Sequence, residues 1–313
     1  MVENASRKGT RYQIIDGKIY RDSKCLFVPR CEGVQHYLLQ IASTLPNTEF
    51  VINFQDFPQV SNKQPALPIF SFSKDGNHND ILYPTWSFWS GGPAIPLYPS
   101  GIGKWNQTRQ TILRTAESVA WESRKSIGFF RGSRTNINRD KLILLSREKP
   151  DFIDARYTKN QAWRSNADTL GEKPAREVLF EDHCRYKYLF NFAGVAASFR
   201  HRHILLCGST VFHVEDRWIE FYYRQLIPWF HYVPVSAELE NVEKLISFAR
   251  NHDNLMETIG RRGQKFIKDH LKEDDVLCYW KLLLQNYTKL LRYVVVKDNS
   301  LMKIDKENFD FSL

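Results

Sequence analysis

Short, mainly apolar runs alternate with helix-compatible segments along most of this chain, and that rhythm most narrows the folds open to it. Phe50-Val-Ile-Asn-Phe54 and Pro68-Ile-Phe-Ser-Phe72 are of the type buried on both faces of a sheet, each closed by polar or turn residues. Before them, Tyr12 to Tyr20 reads as a hairpin, because Asp16-Gly17 suits a tight turn with positive φ angles. A connecting helix is expected from about Thr108 to Trp121. A second series follows: strand Ile127–Phe130, helix Arg139–Arg147, and strands Asp151–Tyr157, Tyr186–Phe192 and Thr210–His213. Pro228 to Pro234 reads as another short strand. From Asn241 the pattern is helical, closing in Asp274–Arg292, long enough to return to the first domain. The class is α/β, and 313 residues are enough for two domains.

Ligand sites in open α/β sheets form at the ends of strands, and three such ends carry suitable chemistry. The strand Tyr186–Phe192 feeds Gly194-Val-Ala-Ala-Ser-Phe-Arg200, a small-residue loop before a basic helix start. Small side chains and free N–H groups there favour an anion such as a diphosphate. Arg131-Gly-Ser-Arg134-Thr, with Arg139 beyond, repeats that composition after another strand, and together the two loops point to a nucleotide diphosphate. Asp56 stands just past Phe50–Phe54 and before Phe57-Pro58, a place for a general base beside aromatic walls. Capping of a turn before proline is the alternative use of such an aspartate. The long segment Asp75–Gly103, with Trp86, Trp89 and Tyr98, is too aromatic for a bland connector.

Other chemistries lack support. No Asp-x-Asp occurs, and Glu273-Asp274-Asp275 reads as acidic charge at a helix start, so metal use is not expected. Diphosphate charge then falls to Arg139, Arg200 and backbone N–H groups. His201 and His203, flanking Arg202, read as a polar helix face. No Gly-x-Ser-x-Gly elbow or P-loop is present. Lys plus Arg number 44 against 35 Asp plus Glu, but the cations are dispersed, which speaks against nucleic acid as a partner. No apolar run approaches the roughly 20 residues that cross a membrane. Of five cysteines, Cys25 and Cys31 bracket a short loop, Cys184 and Cys207 flank the small-residue segment, and Cys278 is left over. Two disulfides and an orphan suit an oxidising compartment, as do sequons at Asn4, Asn106 and Asn286. The expectation is a secretory-pathway protein whose N-terminus, with its signal and the partner of Cys278, is missing.

Four segments in order, Phe130-Arg-Gly-Ser-Arg-Thr, Tyr157-Thr-Lys-Asn-Gln-Ala-Trp163, Tyr186–Phe192 and Gly194–Arg200, resemble the Rumi-type protein O-glucosyltransferases. The likeness runs from about Thr10 to Arg292. It implies a GT-B architecture of two facing Rossmann-like domains: residues 1–120 on the acceptor side with the base, 121–272 binding the UDP-sugar, and 273–313 as a C-terminal helix crossing back. It implies an inverting, metal-independent transferase of the endoplasmic reticulum lumen, without cofactor or membrane insertion, acting as a monomer. Glucose from UDP-glucose, or xylose from UDP-xylose, would pass to serine in Cys-x-Ser-x-Pro/Ala-Cys of folded EGF-like repeats such as those of Notch.

By the same resemblance the base falls on Asp56, and donor contacts fall on Tyr98, Ser133, Arg139, Val195, Ala196, Ala197, Ser198, Phe199 and Arg200. Acceptor contacts fall on Leu26, Phe27, Val28, Pro29 and Arg30, on Ala94, Ile95, Pro96, Leu97, Tyr98 and Pro99, and on Gln161. The bridges would be Cys25–Cys31 and Cys184–Cys207. Family members begin with a signal and a cysteine-rich segment that partners the residue matching Cys278, and many end in a KDEL-like signal; this chain has neither and ends Asn308-Phe-Asp-Phe-Ser-Leu313. Two rival readings are an inactive lumenal protein that binds or monitors EGF-like repeats and, more distantly, a basic nucleic-acid binder.

Overall fold

The computed structural model describes residues 2–89, 102–160 and 162–305, which fall into two compact units. The first comprises Met1–Gly91, Arg217–Phe221 and Glu273–Leu313; the second comprises Gly92–Asp216 and Tyr222–Lys272. In chain order the first opens with helix α1 (Val2–Ser6), strands β1 (Thr10–Ile15) and β2 (Lys18–Arg21), helix α2 (Val28–Ile41), and strands β3 (Thr48–Ile52), β4 (Ile69–Ser71) and β5 (Ile81–Leu82). The second holds α3 (Trp105–Ser118), β6 (Lys125–Gly132), α4 (Asp140–Glu148), β7 (Ile153–Tyr157), α5 (Phe180–His183), β8 (Tyr186–Asn191), α6 (Arg200–Leu205), β9 (Thr210–Val214), β10 (Val233–Val235), α7 (Val242–Asn251) and α8 (Asp253–His270). Helix α9 (Glu273–Thr288) and strand β11 (Met302–Ile304) then belong to the first unit again.

The first sheet has the order β11-β2-β1-β3-β4-β5 and is mixed. Its antiparallel half follows from the hairpin: Asp16 and Gly17 take φ of 49° and 71°, and Ile15 pairs with Lys18. β3 runs antiparallel to β1 and parallel to β4, so only one flank of this sheet has the parallel character expected of the whole. All five residues of β3 are buried. Tyr12 stacks on Phe50 at 5.8 Å, and Tyr287 of α9 meets Phe70 edge-on at 5.1 Å. Each such fully buried aromatic side chain contributes roughly 2–3 kcal/mol.

The second sheet, β10-β9-β8-β6-β7, is wholly parallel. Counted within its unit, its order is 2-1-3-4-5, which places the topological switch point between β6 and β8. Its core joins Phe130, Tyr188, Phe190 and Phe212 to Leu142, Ile246 and Ile259 of the surrounding helices.

Helix α6 departs from expectation. His201, Arg202 and His203 form no solvent face; they are 1 %, 1 % and 2 % exposed. Aromatic packing replaces water around them: His203 stacks on Phe180 at 4.6 Å and meets Trp105 edge-on, and His201 lies 4.7 Å from the His213 ring. The closing helix expected over Asp274–Arg292 is α9, which ends earlier, at Thr288.

Candidate active site

Asp56 lies four residues beyond the end of β3, on a turn held from both sides. Asn53 donates from Nδ2 to the Phe57 carbonyl at 2.7 Å and to the Ser71 hydroxyl at 3.0 Å, while its Oδ1 accepts from the Gln55 N–H. From the other side, the wholly buried Asp80 accepts from the N–H groups of Gln59 and Val60, both at 2.7 Å, and from the Ser71 hydroxyl at 2.6 Å. Neither Asn53 nor Asp80 stands out in the sequence; the Asx-type spacing of Asn53 to Gln55 is the one signal that could have marked the turn.

The carboxylate itself is partly exposed and pairs, among the described residues, with Arg30. Arg30 Nη1 lies 3.1 Å from Asp56 Oδ1 and also donates to the Phe54 carbonyl. Its guanidinium is sandwiched between the rings of Phe27, at 4.4 Å, and Trp86, at 4.3 Å. Two faces and an edge are thus engaged, so Arg30 pins the carboxylate in place. The residues before Arg30 are of opposite character. Leu26, Phe27 and Val28 are 64 %, 42 % and 58 % exposed, an apolar tongue at the start of α2 closed by the Cys25–Cys31 disulfide. Pro29 sits in the first turn of that helix, where its missing N–H costs nothing. Phe57 is exposed and packs on Trp218 at 5.8 Å, giving the aromatic wall expected beside Asp56. The sequence placed Arg30 among its ligand contacts but not as the partner of Asp56.

The second candidate group is in the second unit, at the switch point. β6 delivers Ser133 and β8 delivers Ala193 to Arg200, and Arg139 ties the two loops together. It donates from Nη1 to the Ser133 carbonyl at 2.7 Å and from Nη2 to that of Ala193 at 2.6 Å, with Nε also directed to Ala193 at 3.1 Å. Arg200 donates one bond, from Nη2 to the Arg131 carbonyl at 2.8 Å, and lies over the Phe130 ring. Its Nε and Nη1 are buried without a partner among the described residues. Gly132 leaves room for this guanidinium: a Cβ on it would fall 2.4 Å from the Arg200 Nη2 and displace it. Burial disfavours both charges, lowering Arg139 to about 10; burial and then repulsion from Arg139 lower Arg200 to about 9. Both stay protonated near neutrality; Arg139 is buried and Arg200 half-buried, and neither has an ion-paired carboxylate among the described residues.

Other cations expected in this cradle are engaged elsewhere. Arg131 pairs with Asp154 at 2.7 Å and Arg134 with Asp140 at 2.5 Å. Burial tends to raise the Asp140 carboxyl, but hydrogen bonds from Arg134 and Tyr157 outweigh it and hold the group below its usual range. α6 has only six residues, so its dipole adds little and the arginines supply the field. Around them Val195 is exposed, Ala196, Ala197 and Ser198 are buried, and Phe199 is intermediate. Ala94, Ile95, Pro96, Leu97, Tyr98, Pro99 and Gln161 lie outside the described residues. The bridge Cys184–Cys207 is formed and Cys278 is unpaired and exposed. Among the described residues no group of three His, Cys, Asp or Glu could hold a metal, and no helix is long and apolar enough to cross a membrane.

A cationic cradle at the switch point of one parallel sheet, and a pinned carboxylate at a strand end of a second unit, fit a glycosyltransferase. Comparison with known proteins establishes that class. The model of glycosyl transferase family 90 matches residues 1–311, and the chain belongs to that family. Protein O-glucosyltransferase 1 of Bos taurus is 53 % identical over 300 residues, covering 95 % of this chain and 76 % of that protein; its Homo sapiens counterpart is 51 % identical with the same coverage. O-glucosyltransferase rumi of Drosophila melanogaster is 49 % identical over 309 residues, 97 % of this chain and 75 % of that protein. Among solved structures, Anabaena HepE in complex with UDP and glucose aligns at a TM-score of 0.39 and 11 % identity, over 58 % of this chain and 52 % of that one, a likeness too slight to carry weight.

Proposed function

We propose that this glycosyltransferase is an inverting protein O-glucosyltransferase of the GT-B class, moving glucose from UDP-glucose to a serine hydroxyl of folded EGF-like repeats such as those of Notch. The observation that carries the reading is the Asp56 carboxylate, fixed by Arg30 beside the exposed tongue Leu26–Val28. A serine hydroxyl is a poor nucleophile, so a positioned base is needed. Asp56 takes its proton as the oxygen forms its bond to C1 of glucose; the bond from C1 to the diphosphate oxygen breaks on the opposite face, and UDP leaves with the electron pair. One carboxylate suffices, because UDP is a stable leaving anion where a glycosidase has to protonate an alkoxide.

The first unit carries the proposed base, and there Leu26 to Arg30 would hold the acceptor; Ala94 to Pro99 and Gln161, within the chain span of the second unit, are assigned to the acceptor by resemblance. In the second unit the guanidinium of Arg200, whose Nε and Nη1 lack a partner among the described residues, would meet the diphosphate, with Ser133 and Val195 to Phe199 around it and Arg139 holding the cradle closed; Tyr98 joins them by resemblance. This scheme balances the diphosphate charge with arginines, so transfer should proceed without a divalent metal. The two disulfides suit an oxidising compartment, proposed here as the endoplasmic reticulum lumen, and the enzyme is proposed to act as a monomer.

The test is mass spectrometry of a folded EGF-like repeat bearing Cys-x-Ser-x-Pro-Cys, incubated with the protein, EDTA and either UDP-glucose or UDP-xylose. A hexose gain on the serine is expected, and a pentose gain would assign xylose as a second donor. Asp56→Asn should keep UDP affinity while lowering turnover by about a thousandfold or more. Full turnover by that variant would remove Asp56 as the base.

A further inference from the structure

Beside the tongue lies a recess of about 680 Å³ whose lining includes Arg7, Lys8, Arg21 and Lys24. We propose that it is a second acceptor subsite, which takes an acidic segment of the acceptor polypeptide away from the reacting serine. The inference rests on the acceptor reading above and extends it from one serine to the surface around it.

Charge argues first. Four cations line the recess and none of its lining residues is acidic. Lys8 donates to the Gln59 carbonyl, and Arg21 to the carbonyls of Asp22 and Ser23, so their positive charge is not neutralised by those bonds. Arg21 Nε has no hydrogen-bond partner among the described residues, so no protein acceptor offsets its share of the charge. Arg7 and Lys24 are exposed. The cations are dispersed along the sequence, so it is the fold that brings these four together, as it does Arg139 and Arg200 in the second unit.

Position argues second. Leu26 and Gln55 also line the recess, Leu26 being the tip of the apolar tongue and Gln55 the neighbour of Asp56. A polypeptide laid on the tongue therefore passes next to the cations. An acidic stretch fits better than a nucleotide, because an exposed apolar surface adjoins the charge, as in protein–protein interfaces with a charged rim.

The experiment is a fluorescence titration of the whole protein with three labelled decapeptides of equal length: Asp/Glu-rich, Ser/Gly-rich and Lys-rich. The acidic peptide should bind at least about tenfold tighter than the neutral one and lose that margin as salt rises from about 20 to about 500 mM. Arg7→Glu/Lys24→Glu should abolish the preference, and Arg7→Ala/Lys24→Ala should weaken it in part; circular dichroism checks that both variants are folded. Equal binding of acidic and neutral peptides by the native protein, or unchanged binding by the variants, would overturn the proposal. So would displacement of the acidic peptide by an oligonucleotide that binds more tightly, since that marks a general polyanion surface. In transfer assays the charge reversal should raise the acceptor KM about tenfold, with the loss falling on KM and not on kcat. If the native protein transfers sugar to no protein serine, the proposed function fails, while the peptide titration still decides the recess.

Discussion

Arg139 and Arg200 share one cradle yet carry different loads. The guanidinium of Arg139 is committed to the carbonyls of Ser133 and Ala193, whereas Arg200 keeps Nε and Nη1 open. Lysine in place of Arg200 retains the charge but loses the planar fork, so UDP affinity should fall about tenfold to a hundredfold with little change in melting temperature. Lysine in place of Arg139 reaches fewer of those carbonyls, and a buried carbonyl without a donor costs about 1–3 kcal/mol. Arg139→Lys should therefore lower the melting temperature first and UDP affinity as a consequence. Calorimetric titration with UDP beside thermal denaturation separates the two cases; equal thermal losses in both variants would show that Arg200 is also structural. Both arginines were legible in the sequence as cations at strand ends. Their different loads were not, because they depend on which backbone oxygens the fold delivers. The same limit hid Asn53 and Asp80, whose partners are set by the packing of β3 against β4.

At the scale of elements, the strands were the most readable, since β3, β4, β6, β8 and β9 are apolar enough to be buried in any order. α2 went unread: Glu32-Gly33 interrupts its pattern, and Gly33 serves a close approach in which a Cβ would meet the Trp86 carbonyl at 2.6 Å. α6 was misread for the opposite reason, since His-Arg-His looks like surface until Trp105, Phe180, Tyr222 and Tyr223 enclose it. That enclosure has a consequence for pH. Burial lowers His183 and His213 to about 4 and holds His201 and His203 well below 6.5. Unfolding restores the ordinary value, so the unfolded chain binds more protons between pH 6.5 and 4 and stability rises with pH across that window. His183 alone, lowered from 6.5 to about 4, represents on the order of 3 kcal/mol lost as pH falls through it. Carboxylates held low, such as Asp140, Glu49 and Asp75, act in the same direction only near and below about pH 4. Melting temperature should thus decline steadily from about pH 7 to about pH 5. A flat profile there would mean that the cluster around α6 takes up protons without unfolding.

Across the whole molecule, the proposed base falls in the first unit and the proposed diphosphate cradle in the second, and each unit has one disulfide of its own. Cys25–Cys31 closes the partly exposed tongue of the first unit, and the fully buried Cys184–Cys207 joins the C-terminal ends of α5 and α6 in the second, across 23 residues of chain. A loop of that length confers about 3 kcal/mol by restricting the unfolded chain. The shorter loop restricts it less, and its main effect is local, on the shape of the tongue. Effects at sites with no shared partners add independently. Cys25→Ser/Cys31→Ser should accordingly raise the acceptor KM several-fold while leaving UDP affinity and melting temperature nearly as they were. Cys184→Ser/Cys207→Ser should do the converse, lowering the melting temperature by several degrees and weakening UDP. Steady-state kinetics with the EGF-like acceptor, UDP titration and thermal melts on the two double variants measure all three quantities. If the Cys25/Cys31 pair weakened UDP measured without acceptor as much as it raised the acceptor KM, the assignment of the tongue to the acceptor would fall, because UDP alone reports on the cradle of the second unit.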